Sequence, residues 1–403
     1  MDFNFTDDHI SIQELTRNFA KRHIAPNIRE NDRAHHFDNS IITKMAEADL
    51  LGLCLPEKYG GVGMDYISLG LACEELEYID GSARVILSVH IGLNSLTLVS
   101  CGNQFQKEKY LVPQCKGEKL ATFGLTEPNA GSDVVGLQTT AVKKGDKYIL
   151  NGEKMWISLA DVADHFLIFA WTDLDKKSKR DHSGLSCFIV EKVFPGVTTG
   201  KIEGKLGVRA GNTGWIALQD TEVPAENLLG NEGDGFSIAM FSLEQGRYTV
   251  AAGSTGLIKA CLDASVNYSL TRKTFEKPIA EHQLVKQMIA NMSAGYEYSR
   301  LLWLKAGWMR NDGLRPTQVT SMAKWIACRE AEKAAADAIQ VHGAYGFSDE
   351  YPVERFYRNA KGASIYEGSR EIQTLMQADY ALGLRQDKKR KFKVPAWPFG
   401  EDV

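Results

Sequence analysis

Apolar and polar residues alternate with three different rhythms along this chain. Up to about residue 120 the apolar positions recur at helical spacing. Thr6-Asp7-Asp8, between Phe5 and the apolar Ile10, Ile12 and Leu15, reads as a helix start with its polar cap. A second helical run covers roughly 39–48 and stops near Gly52, where the Pro- and Gly-rich loop LPEKYGGVGMD follows. Two longer helical patterns occupy about 66–78 and 82–101. From about 121 to 230 the period falls to two. Residues 137–143 and 147–150 read as a hairpin around Gly145-Asp146, and 165–172, 185–191 and 215–222 as further strands. Helical spacing then returns over 235–271, 283–312, 316–341 and 363–383. The last stretch, 386–403, is basic and then Pro-rich, and is expected to be poorly packed or laid on a neighbour. The pattern predicts an α+β chain: an N-terminal helical domain (1–120), a central antiparallel β domain (121–230), a C-terminal helical domain (231–385) and a tail. Clefts between such domains are favoured ligand sites.

Composition narrows the class. The chain has 403 residues, 44% apolar and 24% charged, with a formal net charge of −4. That apolar content is too high for disorder, and the charge balance gives no footprint for nucleic acid. No run of 18 consecutive apolar residues occurs, so no membrane-spanning helix is expected. The start, MDFNFTDDHI, lacks the basic and apolar regions of a signal peptide, and a cytoplasmic location is expected. The seven cysteines are widely spaced with no CxxC pair, which argues against zinc and for buried, reduced thiols.

Five segments carry chemistry beyond packing. Residues 123–133, FGLTEPNAGSD, form a turn-rich loop with backbone N–H groups and hydroxyls. Such a loop can hold the edge of a planar heterocycle or a phosphate, or be an ordinary tight loop. In KMWIS (154–158), strand alternation puts Trp156 and Ser158 on one face, either to cover an aromatic ring or simply to pack. RKTFEKPI (272–279), ending in His282-Gln283, and QVHGAYG (340–346) close helical stretches with cationic or Gly-containing loops that suit a pyrophosphate. In IYEGSREIQ (365–373), Glu371 is placed to favour a helix dipole, whereas Glu367 has no evident structural duty.

In this order and at these separations the five segments resemble the acyl-CoA dehydrogenase family of flavoproteins, over about residues 10–385. The resemblance implies an N-terminal helical domain, a central β domain and a C-terminal four-helix bundle, with FAD as cofactor. Phe123, Leu125, Thr126, Gly131 and Ser132 would lie by the flavin and the thioester chain. Trp156 would cover one face of the isoalloxazine, and Ser158 would sit at its N5 edge. Arg272, Phe275 and Gln283 would contact the FAD of a neighbouring subunit. Gln340, Gly343 and Ala344 would approach the pyrophosphate, and Ser369 and Glu371 would hold the cofactor's other portions. A site shared between subunits implies a homotetramer, a dimer of dimers, and the family's electron acceptor is an electron-transfer flavoprotein. Glu367 matches the catalytic base. Some members carry the base on an earlier helix, before an Arg; here that place is Gly246, before Arg247, and holds no carboxylate. The implied reaction is α-proton abstraction from an acyl-CoA by Glu367 and hydride transfer from Cβ to flavin N5, with the enolate oxygen held by a ribityl hydroxyl and the Glu367 N–H. Glu244, Arg247, Tyr366 and Gly368 would join Ser132 around the substrate. Presence of Glu367 argues against a monooxygenase, and Glu367 with the FAD loops against a non-catalytic relative; a flavin oxidase on the same fold stays as a rival.

The acyl group is addressed by an earlier helix. Arg84 and Ser88 stand at i and i+4, and Glu77 shares their face if the helix runs through Asp80-Gly81. An arginine in an apolar pocket is costly unless it meets an anion. The Glu77, Arg84, Ser88, Val89 pattern resembles glutaryl-CoA dehydrogenases, in which Arg and Ser hold the distal carboxylate, and implies a dicarboxylyl-CoA. The sequence after Glu367 departs from the Thr-His-Asp form of those enzymes, so a substituted succinyl-CoA such as benzylsuccinyl-CoA stands beside glutaryl-CoA. The alternatives are a short-chain or branched fatty acyl-CoA, with Arg84 in a surface pair with Asp80 worth only about 0.3–0.5 kcal/mol.

Overall fold

The computed structural model describes residues 4–387, 389 and 391–400. The N-terminal part contains α1 (Asp7–His23), α2 (Ile28–Arg33), α3 (Ser40–Glu47), α4 (Tyr66–Ile79) and α5 (Gly81–Leu87). Thr6 and His9 cap α1 reciprocally, each side chain accepting from the other's backbone N–H at 3.3 Å. A π-helical stretch, Ser88–Ser95, carries α5 on into α6 (Leu96–Cys101). The short α7 (Gln104–Gln106) and α8 (Val112–Cys115) complete the part. By length and composition the Gly81–Cys101 rod would suffice to cross a membrane, contrary to expectation, but 89% of its apolar window is buried inside the protein. It is a core helix here.

The helix does not run through Asp80-Gly81. Asp80 adopts an extended conformation (φ −164°, ψ 138°), ends α4 and starts α5, its carboxylate accepting from Ser82 N at 2.8 Å. It also accepts from Asn359 Nδ2 at 2.9 Å and forms an ion pair with Arg355 at 3.0 Å. The proposed Asp80–Arg84 surface pair therefore does not exist: Asp80 is committed to the C-terminal helices.

The central sheet comprises β1 (Ala121–Gly124), β2 (Thr140–Lys144), β3 (Lys147–Ser158), β4 (His165–Trp171), β5 (Leu185–Glu191), β6 (Val197–Lys201), β7 (Thr213–Pro224) and β8 (Leu228–Leu229), with the short helix α9 (Leu174–Ser178) between β4 and β5. Its order is β6-β7-β3-β2-β4-β5-β8, with β1 beside β4. The expected purely antiparallel sheet needs correction, because β4 pairs in parallel with β1 and β2. β1 and β6 escaped the sequence pattern. β1 is buried throughout, so no alternation marks it.

The C-terminal part is built on α10 (Gly235–Thr271), α11 (Gln283–Asn311), α12 (Thr317–His342), α13 (Val353–Ala363) and α14 (Arg370–Ala381), with the small hairpin β9 (Lys273–Thr274) and β10 (Lys277–Pro278) after α10. α10 packs on α12, α4 and α11. Close approach is possible because α10 is lined with small residues: a Cβ on Gly256 would overlap the Glu74 carbonyl of α4. The expected helix over 363–383 starts late, since a loop with positive φ occupies 364–369. The tail is not loose over its described residues. Tyr66 OH donates to Pro395 O at 2.8 Å, Trp397 N to Asn311 O at 2.9 Å, and Trp397 Nε1 to Gly63 O at 2.8 Å.

Asp80→Ala should destabilise the protein by about 3–5 kcal/mol, because Arg355 would be left buried without its counter-ion. A chemical-denaturation midpoint equal to wild type would contradict this account of the helix break.

Candidate active site

The loop between α13 and α14 aims one carboxylate inward. Ser369 caps α14, accepting from Ile372 N at 3.5 Å. Just before it the chain turns left-handed, with φ +55° at Glu367 and +95° at Gly368. For a glutamate this costs on the order of 1–2 kcal/mol and must be held by its surroundings. Arg247 Nε donates to the Glu367 carbonyl at 3.2 Å, and Lys324 Nζ to the Gly368 carbonyl at 2.8 Å. The Glu367 N–H meets no acceptor among the described residues. The carboxylate rests on α10 at Gly246, where any Cβ would overlap Oε2. Oε2 is enclosed and has no hydrogen-bond partner among the described residues. Burial pushes the Glu367 carboxyl up to about 7, against the pull of Arg84, Lys324 and Arg247. A carboxylate so placed is a base near neutral pH with an unused lone pair.

Beside it lies a closed cluster. Arg84 is 0% exposed. Its Nε meets Glu77 Oε2 at 2.5 Å, Nη1 donates to Ser88 Oγ at 3.2 Å, and Nη2 to Tyr366 OH at 2.5 Å. Burial works against its charge, but Glu77 and Tyr366 outweigh it and Arg84 stays protonated. Burial pushes Glu77 up and Arg84 pulls it back. Ser88 also bonds Thr249 Oγ1, which donates to Gly246 O at 2.8 Å. Gly253 of α10 makes the room: a Cβ there would overlap Glu77 Oε2. Glu77 thus reaches Arg84 across the helix break, not along a continuous helix.

Residues 6–118, 122–221 and 233–382 match, in turn, the N-terminal, middle and C-terminal domains of acyl-CoA dehydrogenases. The chain belongs to the acyl-CoA dehydrogenase family. It is 42% identical to an acyl-CoA dehydrogenase of Bacillus subtilis (strain 168), covering 94% of this chain and 99% of that one. It is 39% identical to the glutaryl-CoA dehydrogenase of Desulfococcus multivorans, covering 96% and 99%. Among solved structures it is similar to the butyryl-CoA dehydrogenase of Megasphaera elsdenii, with TM-score 0.92 and 39% identity over 95% of this chain and 100% of that one. It is also similar to an acyl-CoA dehydrogenase of Bacillus anthracis complexed with FAD, with TM-score 0.87 and 33% identity over 94% and 67%.

The remaining candidate residues of this acyl-CoA dehydrogenase fall into two groups. The first surrounds the β-domain loop. Phe123 and Leu125 are buried, Thr126 half-buried, and Gly131 and Ser132 exposed. The loop is pinned by residues the sequence reading missed: Lys154 Nζ meets Glu127 Oε1 and Phe169 O, both at 2.7 Å, and Leu125 O at 3.3 Å. A lysine facing the buried side of a strand was the available signal. Trp156 sits in a β-bulge with φ +62° and is 57% exposed. Simple alternation is therefore the wrong reason for pairing it with Ser158, although both face away from buried Ile157.

The second group lies at the far end of α10 and α12. Arg272, Phe275 and Gln283 flank the β9–β10 hairpin, all exposed, with Phe275 90% exposed at φ +50°. Gln340, Gly343 and Ala344 are exposed at the end of α12, where His342 stacks on Tyr268 of α10 at 4.3 Å. At 1.5 Å per residue, Arg272 lies about 40 Å along α10 from Gly246. The structure does not bring this group to its own chain's Glu367. Glu371 is exposed beside Arg370. Glu244 and Arg247 are buried on α10, the Glu244 carbonyl accepting from Arg310 at 2.9 Å. Lys324 was also missed. It occupies a position in the apolar stripe of α12, among Ala323, Ala327 and Cys328.

Gly246→Ala should lower turnover at least roughly 100-fold by displacing the Glu367 carboxylate. The check is kcat for a variant that still purifies with its flavin; unchanged kcat would remove Glu367 from its place against α10.

Proposed function

We propose that this acyl-CoA dehydrogenase oxidises a CoA thioester whose acyl chain carries a distal carboxylate, glutaryl-CoA or a substituted succinyl-CoA such as benzylsuccinyl-CoA. The observation that carries this reading is Arg84, enclosed within the cluster around the base. A guanidinium has five N–H donors, and the contacts above use three, leaving one on each terminal nitrogen for a bidentate carboxylate. Relatives named for short-chain and for glutaryl substrates stand at similar identity, so likeness does not choose between them, and the weight falls on Arg84.

FAD fits the residues present. Trp156 offers an exposed indole face on the β domain. Gly343 has open space where a Cβ would stand, at φ +60°, as a pyrophosphate-facing turn requires. Thr126, Ser132 and Ser158 would hold the ring, with Ser369 and Glu371 further along the cofactor. Arg272, about 40 Å along α10 from Gly246, and Phe275 and Gln283 beside it suit the FAD of a neighbouring subunit, with Gln340 and Ala344 at its pyrophosphate, which supports a homotetramer. When bound, FAD supplies the two-electron acceptor for the Cβ hydride, and an electron-transfer flavoprotein is the acceptor we propose beyond it. The seven free cysteines, six of them buried, suit a reducing, cytoplasmic location.

The chain's own part follows. Glu367, ionised above about pH 7, takes the α-proton onto Oε2. Its free N–H is available to the thioester oxygen as negative charge grows there. Tyr366, whose hydroxyl burial pushes far above its usual range, remains a neutral hydrogen-bond partner of Arg84. Arg84 and Ser88 fix the distal end and so the position of the α-carbon.

Anaerobic additions of butyryl-CoA, glutaryl-CoA and benzylsuccinyl-CoA, followed at the flavin band, test the reading. Bleaching is expected with a carboxylate-bearing thioester; bleaching by butyryl-CoA alone would refute it. Arg84→Ala should cost roughly 2–5 kcal/mol selectively with dicarboxylyl thioesters. An equal loss with butyryl-CoA would make Arg84 structural. Glu367→Gln should keep the flavin and lose roughly 10²–10⁴-fold in the rate of flavin reduction.

A further inference from the structure

We infer that Lys324 is a positioning residue for the Glu367 base: through the Gly368 carbonyl its ammonium fixes the left-handed turn and sets a positive charge behind the carboxylate. The inference rests on the reading of Glu367 as base. Lys324 is 1% exposed, and Nζ lies 2.8 Å from Gly368 O. No carboxylate stands within ion-pairing distance of it among the described residues. A buried ammonium without a counter-ion is expensive, and packing does not ask for one here, since its stripe neighbours Ala323, Ala327 and Ala331 are fully enclosed apolar residues. Burial lowers its pKa, with Arg247 and Arg84 in the same direction, while Cys328 and Glu367 work the other way. Its cost is offset where it acts, at the turn.

Two successive carbonyls of that turn, of Glu367 and Gly368, face two cations from different helices, Arg247 on α10 and Lys324 on α12. Gln373 Nε2 of α14 adds a neutral donor to Gly368 O at 3.2 Å. The charged and titratable groups around Glu367 are Arg247 and, beside it, Glu244 (α10), Lys324 and Cys328 (α12), Arg84 (α5), Glu77 and Cys73 (α4), and Tyr366 in its own loop. Arg370 and Glu371 of α14 pair with each other at the surface. Arg84, Lys324 and Arg247 all pull on the base, Arg84 most strongly; Arg84 is also paired with Glu77, whereas Lys324 and Arg247 hold the carbonyls of the turn itself. Losing one should make the carboxyl harder to ionise and move the acid limb of activity to higher pH.

The experiment uses flavin-loaded Lys324→Met, Lys324→Gln and Lys324→Arg, with Glu367→Gln as reference. The pH dependence of kcat/KM is measured with glutaryl-CoA and butyryl-CoA, alongside the thermal midpoint. Lys324→Met should lower kcat at pH 7 at least tenfold and raise the acid-limb midpoint by half a pH unit or more. Lys324→Gln keeps a donor for Gly368 O without the charge, and should show the pH shift with a smaller loss of kcat. Lys324→Arg should restore the wild-type limb. If Lys324→Met does not fold, Lys324→Gln and Lys324→Arg decide on the same limb. A wild-type limb in the neutral variants, or a loss confined to KM or to thermal stability, would overturn the inference. Normal turnover by Glu367→Gln would instead overturn the reading of the base.

Discussion

A guanidinium cut off from water organises the centre of this enzyme. Arg84 is affordable in the core only because Glu77, Ser88 and Tyr366 surround it, and each of those partners imposes a constraint elsewhere. Glu77 reaches it across the point where the chain leaves helix at Asp80. That break leaves an aspartate whose carboxylate must be satisfied, and Arg355 and Asn359 of α13 satisfy it. α13 is thereby tied to the N-terminal helices, and the loop that follows it delivers Tyr366 to Arg84 and Glu367 to Gly246. α10 must pass close to the pair, and Gly253 and Gly246 leave the space. The proposed substrate contact, the proposed base and domain packing are therefore one connected arrangement.

Long regular elements were legible in the residues, and local departures from regularity were not. The bounds expected for α10 and β5 agree with the structure, because sustained periodicity and flanking turn residues specify them. Glu367 was legible through its motif, and its lack of structural duty in the sequence corresponds to an enclosed, unpartnered Oε2 in the fold. The spacing suggested only that Glu77 shares the Arg84 face if the helix is unbroken; the helix is broken, and the Glu77–Arg84 contact forms across an extended Asp80 through the reach of two long side chains. The bulge at Trp156 arises from a register shift between β3 and β7, a pairing property that one strand does not encode. Lys324 could have been noticed as a charge within an apolar stripe, but its purpose appears only when the Gly368 carbonyl arrives from 44 residues away.

On the proposed reading, the charges around Glu367 tie specificity to catalysis. With Glu367 ionised, Arg84, Arg247 and Lys324 face Glu77, Glu367 and, beside Arg247, Glu244. In a site closed to water the unused N–H donors of Arg84 stay without an acceptor until something anionic enters. A neutral acyl chain would bring none until the thioester oxygen acquires charge. A chain with a distal carboxylate would meet those donors on binding and leave Arg247 and Lys324 to the turn that carries Glu367. When Glu367 takes up the α-proton it loses its own charge, and the negative charge moves to the thioester oxygen nearby. The cations around the turn then keep an anion within reach on both sides of the proton transfer, which is why their placement matters more than their number.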